Sequence, residues 1–218
     1  MECTFQKRDE KVCRKNRKLR NKKAILEAAL KLFAHKSYAS ITMKDISETC
    51  GLGMGSIYTI FKTKEEIFFT AFAEKNKELN LAIKKVMPSS FKSLSKLTYW
   101  KTFESILKTI VDFCYRNPDF INIILFDRSP IFWSLSPEYL NKLNELHLET
   151  FSFLHSLIQY GQNCGFILNE ISYKSISRKI IGVIDSTFFY NTFFQEKMSF
   201  KEIFHDIKTF ILYGVKNR

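Results

Sequence analysis

The chain has 218 residues, 45% of them hydrophobic, which is enough for one large domain or two unequal ones. Only 7 Gly and 4 Pro interrupt it, and no apolar run approaches the length of a membrane span, so long helices of a soluble protein are favoured. Five cysteines without a CxxC pair argue against a disulfide framework or a zinc site, and a formal net charge of +12 favours a polyanionic partner.

The excess positive charge lies at the N-terminus. Residues 1–36 carry 12 Lys and Arg against 4 Asp and Glu, whereas residues 37–68 carry 3 against 4. We expect residues 1–20 to form a disordered basic arm. Such an arm is either a solubilising tail or a segment that follows phosphates or enters a minor groove, and the second is favoured. No apolar secretory stretch follows these charges, so a cytoplasmic protein is expected.

Two helices are predicted after the arm. The first begins at Asn21, fades near Lys36, and has one apolar stripe at helical spacing, formed by Ile25, Ala28, Ala29, Leu32 and Phe33. The second is capped by the hydroxyl of Thr42 and stopped by Gly51, because glycine adopts the left-handed C-cap conformation without a Cβ penalty.

A short third helix is predicted between two breaks, from Met54 to Phe61. Two helices of about eight residues joined by a glycine-containing turn are typical of a helix-turn-helix, whose second helix fits the DNA major groove. With Ile57 facing inward, the 100° step per residue places three residues outward: Gly55, Ser56 and Thr59. Thr63 and Glu66 have the spacing of a capping box for a fourth helix that reaches Met87.

The stretch ILEAALKLFAHKSYASITMKDISETCGLGMGSIYTIFKTKEEIFFTAF, residues 25–72, resembles the N-terminal domain of the TetR family of bacterial transcriptional regulators. The matching positions are the AALKLF stripe, Tyr38, Thr42, Asp45, Ile46, Gly51, Gly55, Ser56, Ile57, Tyr58, Phe61, Lys64, Glu65 and Glu66. The resemblance implies an all-α chain that forms an Ω-shaped homodimer. It has an N-terminal three-helix helix-turn-helix domain, residues 21–66, and a larger helical ligand-binding and dimerisation domain, residues 67–218.

The resemblance also implies a set of DNA contacts. Four residues correspond to phosphate contacts: Thr42, Ser56, Tyr58 and Lys64. Three correspond to positions that read or abut base edges: Met54, Gly55 and Thr59. Gly53 stands where a Ser or Thr commonly caps the recognition helix, so a weaker cap is expected. The partners implied are double-stranded DNA with a palindromic operator, a second copy of the chain, and a small molecule that releases the operator.

The rest of the chain also reads as helix, over residues 98–116, 118–127, 137–163, 173–195 and 199–216. Its aromatic content predicts an apolar ligand pocket, although an aromatic stripe at helical spacing is also ordinary core. The candidate pocket residues are Phe103, Leu107, Ile110, Phe113, Phe126, Trp133, Phe151 and Leu154. The last two helices resemble a dimer-forming pair, with candidate interface residues Ile180, Ile184, Thr187, Phe188, Asn191, Ile207, Phe210 and Ile211.

Two other functions are weighed against a regulator, and a metal site is considered as well. The sequence contains no GxSxG, HExxH, P-loop or dinucleotide motif, so we expect no enzyme and no cofactor, with an all-helical lipid-handling enzyme as the alternative. No two of the four histidines stand at i, i+4, so no metal site is expected. An architectural or division-linked DNA binder would use the same helix-turn-helix without regulating a gene.

Overall fold

The computed structural model describes residues 2–91, 94–126 and 135–215, and every regular element within these ranges is helical. The α-helices are α1 (Glu2–His35), α2 (Met43–Cys50), α3 (Met54–Tyr58), α4 (Lys64–Val86), α5 (Lys96–Arg116), α6 (Pro118–Phe126), α7 (Pro137–Asn163), α8 (Tyr173–Phe193) and α9 (Phe200–Val215). A 3-10 turn, Tyr38–Ser40, joins α1 to the loop before α2. The all-α prediction is confirmed, with helix ends within about two residues of the predicted ones from α4 onward.

Two predicted boundaries differ from the structure. Helix α1 begins at Glu2 rather than Asn21, so the segment expected to be a disordered arm continues the first helix. The physical reason is that residues 2–20 contain no Gly or Pro and many Lys and Arg, which extend a helix already nucleated by the buried part of α1. Helix α3 ends at Tyr58 rather than Phe61, and only turn-like hydrogen bonds follow it.

Helices α1 to α4 form a small N-terminal head. Ile25, Ile46 and Ile57, from α1, α2 and α3, are fully buried against one another's helices. Thr42 and Asp45 make a reciprocal capping box at the start of α2, and Gly51 ends that helix with a φ of 70°. These caps place α3 at a defined angle on α1 and α4, because each satisfies backbone groups that a helix end leaves unpaired.

Helix α4 connects the head to the remainder of the chain. It packs against α1 in the head and against α5 and α7 beyond it. Helix α6 lies between α1 and α8, and α9 packs on α5 and α8. The Thr63 hydroxyl accepts the N–H of Glu66 as predicted, but the Glu66 carboxylate accepts from Lys62 instead of closing the box on Thr63. Because α4 packs on both parts of the chain, one continuous hydrophobic core extends from the head through the larger helical region.

The contact between Gly161 on α7 and Tyr99 on α5 predicts a large effect on stability. Tyr99 is fully buried, its hydroxyl donates to the Leu157 carbonyl over 3.1 Å, and a Cβ added at Gly161 would lie 2.2 Å from that hydroxyl oxygen. We expect Gly161→Ala to lower the free energy of unfolding by about 1–3 kcal/mol, because an overpacked core must shift. Urea denaturation measures it.

Gly55→Ala is the matched control for this prediction. It also places a methyl group inside a helix, but no atom lies within 4 Å of the added Cβ. We expect its unfolding free energy to stay within about 0.5 kcal/mol of the wild type or to rise, since alanine favours helix over glycine. Equal stability of the two variants would contradict the close packing of Tyr99 on Gly161.

Candidate functional site

Helix α3 presents one narrow polar face to solvent. Ile57 is fully buried and Phe61 nearly so, which turns Gly55 and Thr59 outward and leaves Tyr58 44% exposed on the flank. This is the orientation that the helical wheel predicts. The Thr59 hydroxyl donates to the Ser56 carbonyl over 2.7 Å, so its oxygen lone pairs remain able to accept a hydrogen bond.

Gly53 and Gly55 lie on this face with open space around them. Neither has the positive φ that requires glycine, and a Cβ built on either meets no atom within 4 Å. Gly53 is the N-cap of α3 and supplies no side-chain hydrogen bond, as its lack of a hydroxyl predicts. The fold of the isolated chain therefore does not require glycine at either position, and the absent side chains leave room for a partner to approach the backbone.

Thr42 and Lys64, two of the predicted phosphate contacts, already have internal partners. The Thr42 hydroxyl donates to the Asp45 carboxylate over 2.6 Å and accepts the Asp45 N–H over 3.2 Å. The Lys64 ammonium donates to the carbonyls of Tyr38 over 2.5 Å and Ile41 over 2.7 Å, and it lies 4.2 Å from the Tyr38 ring centroid. Burial lowers the pKa of Lys64, and the charge of Asp45 opposes that shift. Lys64 thus joins α4 to the turn before α2.

A basic face of α1 lies opposite α3 across an open crevice. The α1 wall is formed by Arg14, Arg17, Lys18 and Asn21, and the α3 wall by Gly55, Ser56, Thr59 and Ile60. The arrangement depends on the helical continuation of α1, which brings residues before Asn21 alongside α3. Sequence reasoning identified the charge of this segment but not its conformation or its position.

An apolar cavity of about 400 Å³ lies among α4 to α8. Its described lining is Phe68, Phe72, Asn76, Leu79, Ile110, Cys114, Phe120, Ile121, Ile123, Ile124, Leu143, His147, Thr150, Phe151, Leu154, Ile181, Ile184 and Asp185. Three of the predicted pocket residues line it: Ile110, Phe151 and Leu154. The volume falls within the range of small-molecule sites.

The other five predicted pocket residues are absent from the described lining of the cavity. Phe103, Leu107 and Phe113 are buried in the core but do not line this cavity, because they pack against other core residues. The ring of Phe113, for example, meets Phe120 edge-on at 6.0 Å between centroids. The side chain of Phe126 and the whole of Trp133 lie outside the described residues.

Sequence reasoning missed the contribution of α4 to the cavity. Asn76 and Asn80 are buried on this helix, and both side-chain oxygens lie near the Thr150 hydroxyl of α7, at 3.1 and 2.9 Å. The Asn76 amide also donates to the Leu146 carbonyl over 3.2 Å. A signal was present, since two asparagines at i, i+4 stand on the apolar face between Phe72 and Ile83. Polar side chains at buried positions need hydrogen-bond partners, and ligand cavities typically contain a few such polar groups.

The predicted dimer residues require a correction. Ile180, Ile184, Phe188, Ile207 and Ile211 are buried within the chain, where the core of α5 to α9 covers them. Phe210 remains on an exposed face, at 69%, and the neighbouring Tyr213 is 84% exposed. Thr187 and Asn191 are half-buried, and Asn191 accepts the Met198 N–H over 2.9 Å. The stripe read as partner-facing is thus the stripe that faces inward, and the exposed apolar residues lie about a third of a turn away.

The described residues contain neither a candidate metal cluster nor a helix that could span a membrane. No three His, Cys, Asp or Glu side chains within the described ranges come together in a way that could hold a metal ion. None of the helices in those ranges is long and apolar enough to cross a membrane.

Comparisons with known proteins agree with the geometry of the head. Residues 25–71 match the model of bacterial regulatory proteins, tetR family. YhgD, an uncharacterised HTH-type transcriptional regulator of Bacillus subtilis (strain 168), is 28% identical over 146 residues, which cover 67% of this chain and 71% of YhgD. Residues 25–71 therefore form a helix-turn-helix domain of the TetR family.

Solved structures share the fold over nearly the whole chain. The fatty acid degradation regulator FadR from Bacillus halodurans superposes with a TM-score of 0.75 at 18% identity, covering 91% of this chain and 97% of FadR. FadR from Bacillus subtilis, in complex with stearoyl-CoA, gives 0.71 at 18% identity, covering 88% and 97%. The chain is a DNA-binding transcription regulator with an N-terminal helix-turn-helix and a helical C-terminal region.

Proposed function

We propose that this TetR-family protein is a homodimeric repressor that binds a palindromic operator through α3 and leaves it when a small apolar molecule occupies the cavity. The observation that carries the proposal is the position of α4, which lines the cavity with Phe68 and Phe72 and also packs in the head. A ligand in the cavity would therefore touch a helix that packs on α1, which in turn packs on α3. The chain acts as a cytoplasmic regulator and not as an enzyme.

Aromatic side chains join the cavity to the head. The Phe72 ring lies 5.0 Å from Phe120 and 6.3 Å from Phe68, and Phe68 meets Phe33 at 5.1 Å and Tyr38 at 5.6 Å. Close-packed rings cannot move independently, so a displacement of Phe72 would be passed to α1 and to the turn beneath α2. We infer that effector binding changes the separation or tilt of the two heads in the dimer.

Polar contacts also link the head to helices that line the cavity. His35 Nε2 on α1 lies 3.3 Å from the Asp119 carboxylate on α6, and the Glu65 carboxylate on α4 accepts the N–H of Ser136 just before α7. These contacts place both α6 and α7 in a position to move with the head. They cross the boundary between the proposed DNA-binding domain, residues 21–66, and the proposed ligand-binding and dimerisation domain, residues 67–218.

The proposed DNA contacts follow the exposed face of α3. Met54, Gly55 and Thr59 would abut base edges, and Ser56, Tyr58 and the backbone near Gly53 would meet phosphates. Thr42 would add a phosphate contact from the start of α2, where its hydroxyl donates to the Asp45 carboxylate. We assign Lys64 a positioning role, because its ammonium binds two backbone carbonyls of its own chain.

The effector proposed is a lipophilic molecule with a small polar group. Most of the described lining is aliphatic or aromatic, and Asn76, Thr150, His147 and Asp185 supply its polar part. One structure of the same fold is a fatty acid degradation regulator, and another was solved in complex with stearoyl-CoA, so fatty acids and their CoA esters are the first ligands to test.

The proposed function is tested by selecting duplexes from a random library with the purified protein. We expect a palindrome whose half-sites lie about one helical turn apart or slightly more, bound by a dimer. Fluorescence anisotropy of that duplex then measures release by a panel of fatty acids, acyl-CoA esters and other lipophilic compounds. Selection of no common sequence, or binding sites scattered without a palindrome, would contradict a repressor and support an architectural DNA binder.

Gly55→Ala is expected to separate DNA affinity from stability. The added methyl group meets nothing in the free protein but would meet the base edges or backbone that approach α3. We expect at least a tenfold higher Kd for the selected duplex, about 1.4 kcal/mol, with no loss of thermal stability. Anisotropy titrations and circular dichroism melts measure the two quantities.

Ser156→Ala serves as the control for Gly55→Ala. Ser156 lies on an exposed face of α7, and the one hydrogen bond described for its hydroxyl reaches the Ser152 carbonyl of the same helix over 2.9 Å. The substitution likewise adds helix propensity, and we expect no change in Kd. Unchanged affinity of Gly55→Ala would remove α3 from the DNA contact.

A further inference from the structure

We propose that the crevice between the N-terminal part of α1 and α3 seats one sugar–phosphate strand of the bound duplex, which makes α1 a second DNA-binding element that reads no sequence. The inference rests on the proposed function, in which α3 enters the major groove. The helical surface is the α1 wall of the crevice, and the part of the DNA that it contacts is the sugar–phosphate backbone of one strand.

The crevice has a basic wall with regular spacing. Arg14, Arg17, Lys18 and Asn21 stand at i, i+3, i+4 and i+7, so their side chains share one face of α1. Arginine and lysine in such a row can follow successive phosphates, and the asparagine amide adds a neutral donor. The face points toward α3 and thus toward any duplex that α3 contacts.

The ion pairs formed among the described side chains do not neutralise the charges of this wall. None of the ion pairs formed among the described residues includes Arg14, Arg17 or Lys18, and all three side chains are exposed. The next two lysines of α1 differ, since Lys22 pairs with Glu74 at 2.8 Å and Lys23 with Glu27 at 3.7 Å. Uncompensated positive charge concentrated on one face favours an anionic partner over solvent alone.

The opposite wall has the size and chemistry that a DNA strand requires. Gly55 and Ser56 present almost no bulk, and Ser56 and Thr59 carry hydroxyl groups. A membrane surface would require apolar side chains to insert, and Ile60 is the single large apolar residue of the described lining. The crevice is also continuous with the face of α3 proposed to meet bases, so a strand bordering the major groove would lie in it.

Two triple variants with the same loss of charge test the assignment. The first changes the crevice wall, Arg14→Gln, Arg17→Gln and Lys18→Gln. The second, the opposite triple, changes Lys15→Gln, Arg20→Gln and Lys23→Gln, whose wheel positions lie roughly 110–170° from the middle of the crevice wall. Glutamine keeps the helix propensity of the residues it replaces, and circular dichroism melts verify that both triples fold.

The measurement is the Kd between 50 and 200 mM salt for the selected duplex and for a scrambled duplex of equal length. For the crevice triple we expect the slope of log K against log salt to fall by about 2–3, because each phosphate contact contributes about 0.9. The opposite triple should change it by less than about 1. The loss should be equal on both duplexes, since phosphate contacts carry no sequence information.

Two outcomes would overturn the crevice assignment while leaving the proposed function intact. One is an equal slope change for the two triples, which would reduce α1 to a source of general positive charge. The other is a loss confined to the selected duplex, which would mean that α1 reads bases. A wild-type protein that ignores both duplexes would instead overturn the proposed function, and the crevice with it.

Discussion

Lys64→Ala should destabilise the head rather than only weaken a phosphate contact. The Lys64 ammonium donates to the carbonyls of Tyr38 and Ile41 and lies over the Tyr38 ring. Burial raises the pKa of Tyr38 to about 12, so the ring stays neutral beneath the ammonium. Removing the lysine leaves the two carbonyls with poorer partners and loosens the turn that leads into α2. We expect the free energy of unfolding to fall by about 2–3 kcal/mol.

Lys62→Ala is the control, since it removes the same charge two residues earlier. The Lys62 side chain is exposed, and its one described hydrogen bond reaches the Tyr58 carbonyl over 3.3 Å. Urea denaturation of both variants should show a change within about 0.5 kcal/mol for Lys62→Ala. If Lys64→Ala keeps its stability and lowers the salt slope of DNA binding by about 0.9, Lys64 contacts a phosphate and the positioning role is wrong.

Phe210→Asp combined with Tyr213→Asp should abolish tight operator binding without unfolding the chain. Both side chains are mostly exposed on α9, beside a groove that Val183 and Thr187 of α8 also line. We propose that a second copy covers this face, because large exposed aromatic residues on a helix pair are typical of an interface. Carboxylates there would be buried without partners on dimerisation, so the protein should sediment as a monomer.

The loss of DNA affinity should be large because a monomer binds one half-site at a time. A dimer binds the second half-site intramolecularly, which increases affinity by roughly 100- to 10,000-fold. We therefore expect the Kd for the selected duplex to rise at least about 100-fold, measured by anisotropy alongside sedimentation equilibrium. Leu97→Asp is the control, since Leu97 is 67% exposed on α5, away from this groove. A dimer that survives the double substitution would place the interface elsewhere.

The cavity and the dimer face show why the functional residues were harder to predict than the helices. Ile184 was assigned to a partner-facing stripe, but it lines the cavity. Ile180 and Ile207 belong to the same kind of stripe and are buried in the chain's own core. An apolar stripe indicates that a helix face is covered, and it does not indicate whether the same chain or a second copy covers it. Asn76 was overlooked because the candidate pocket residues were all drawn from the aromatic helices that follow α4.

Local information in the chain was sufficient for the helices and for the head. Caps such as Thr42 and Gly51 and the 3.6-residue period depend on neighbours a few positions apart, so they can be read before any fold is known. The inward turn of Lys64 and the position of the cavity emerged only from the folded chain. They depend on contacts between residues far apart in sequence, such as the one between Lys64 and Tyr38, and no local pattern encodes which distant surfaces meet.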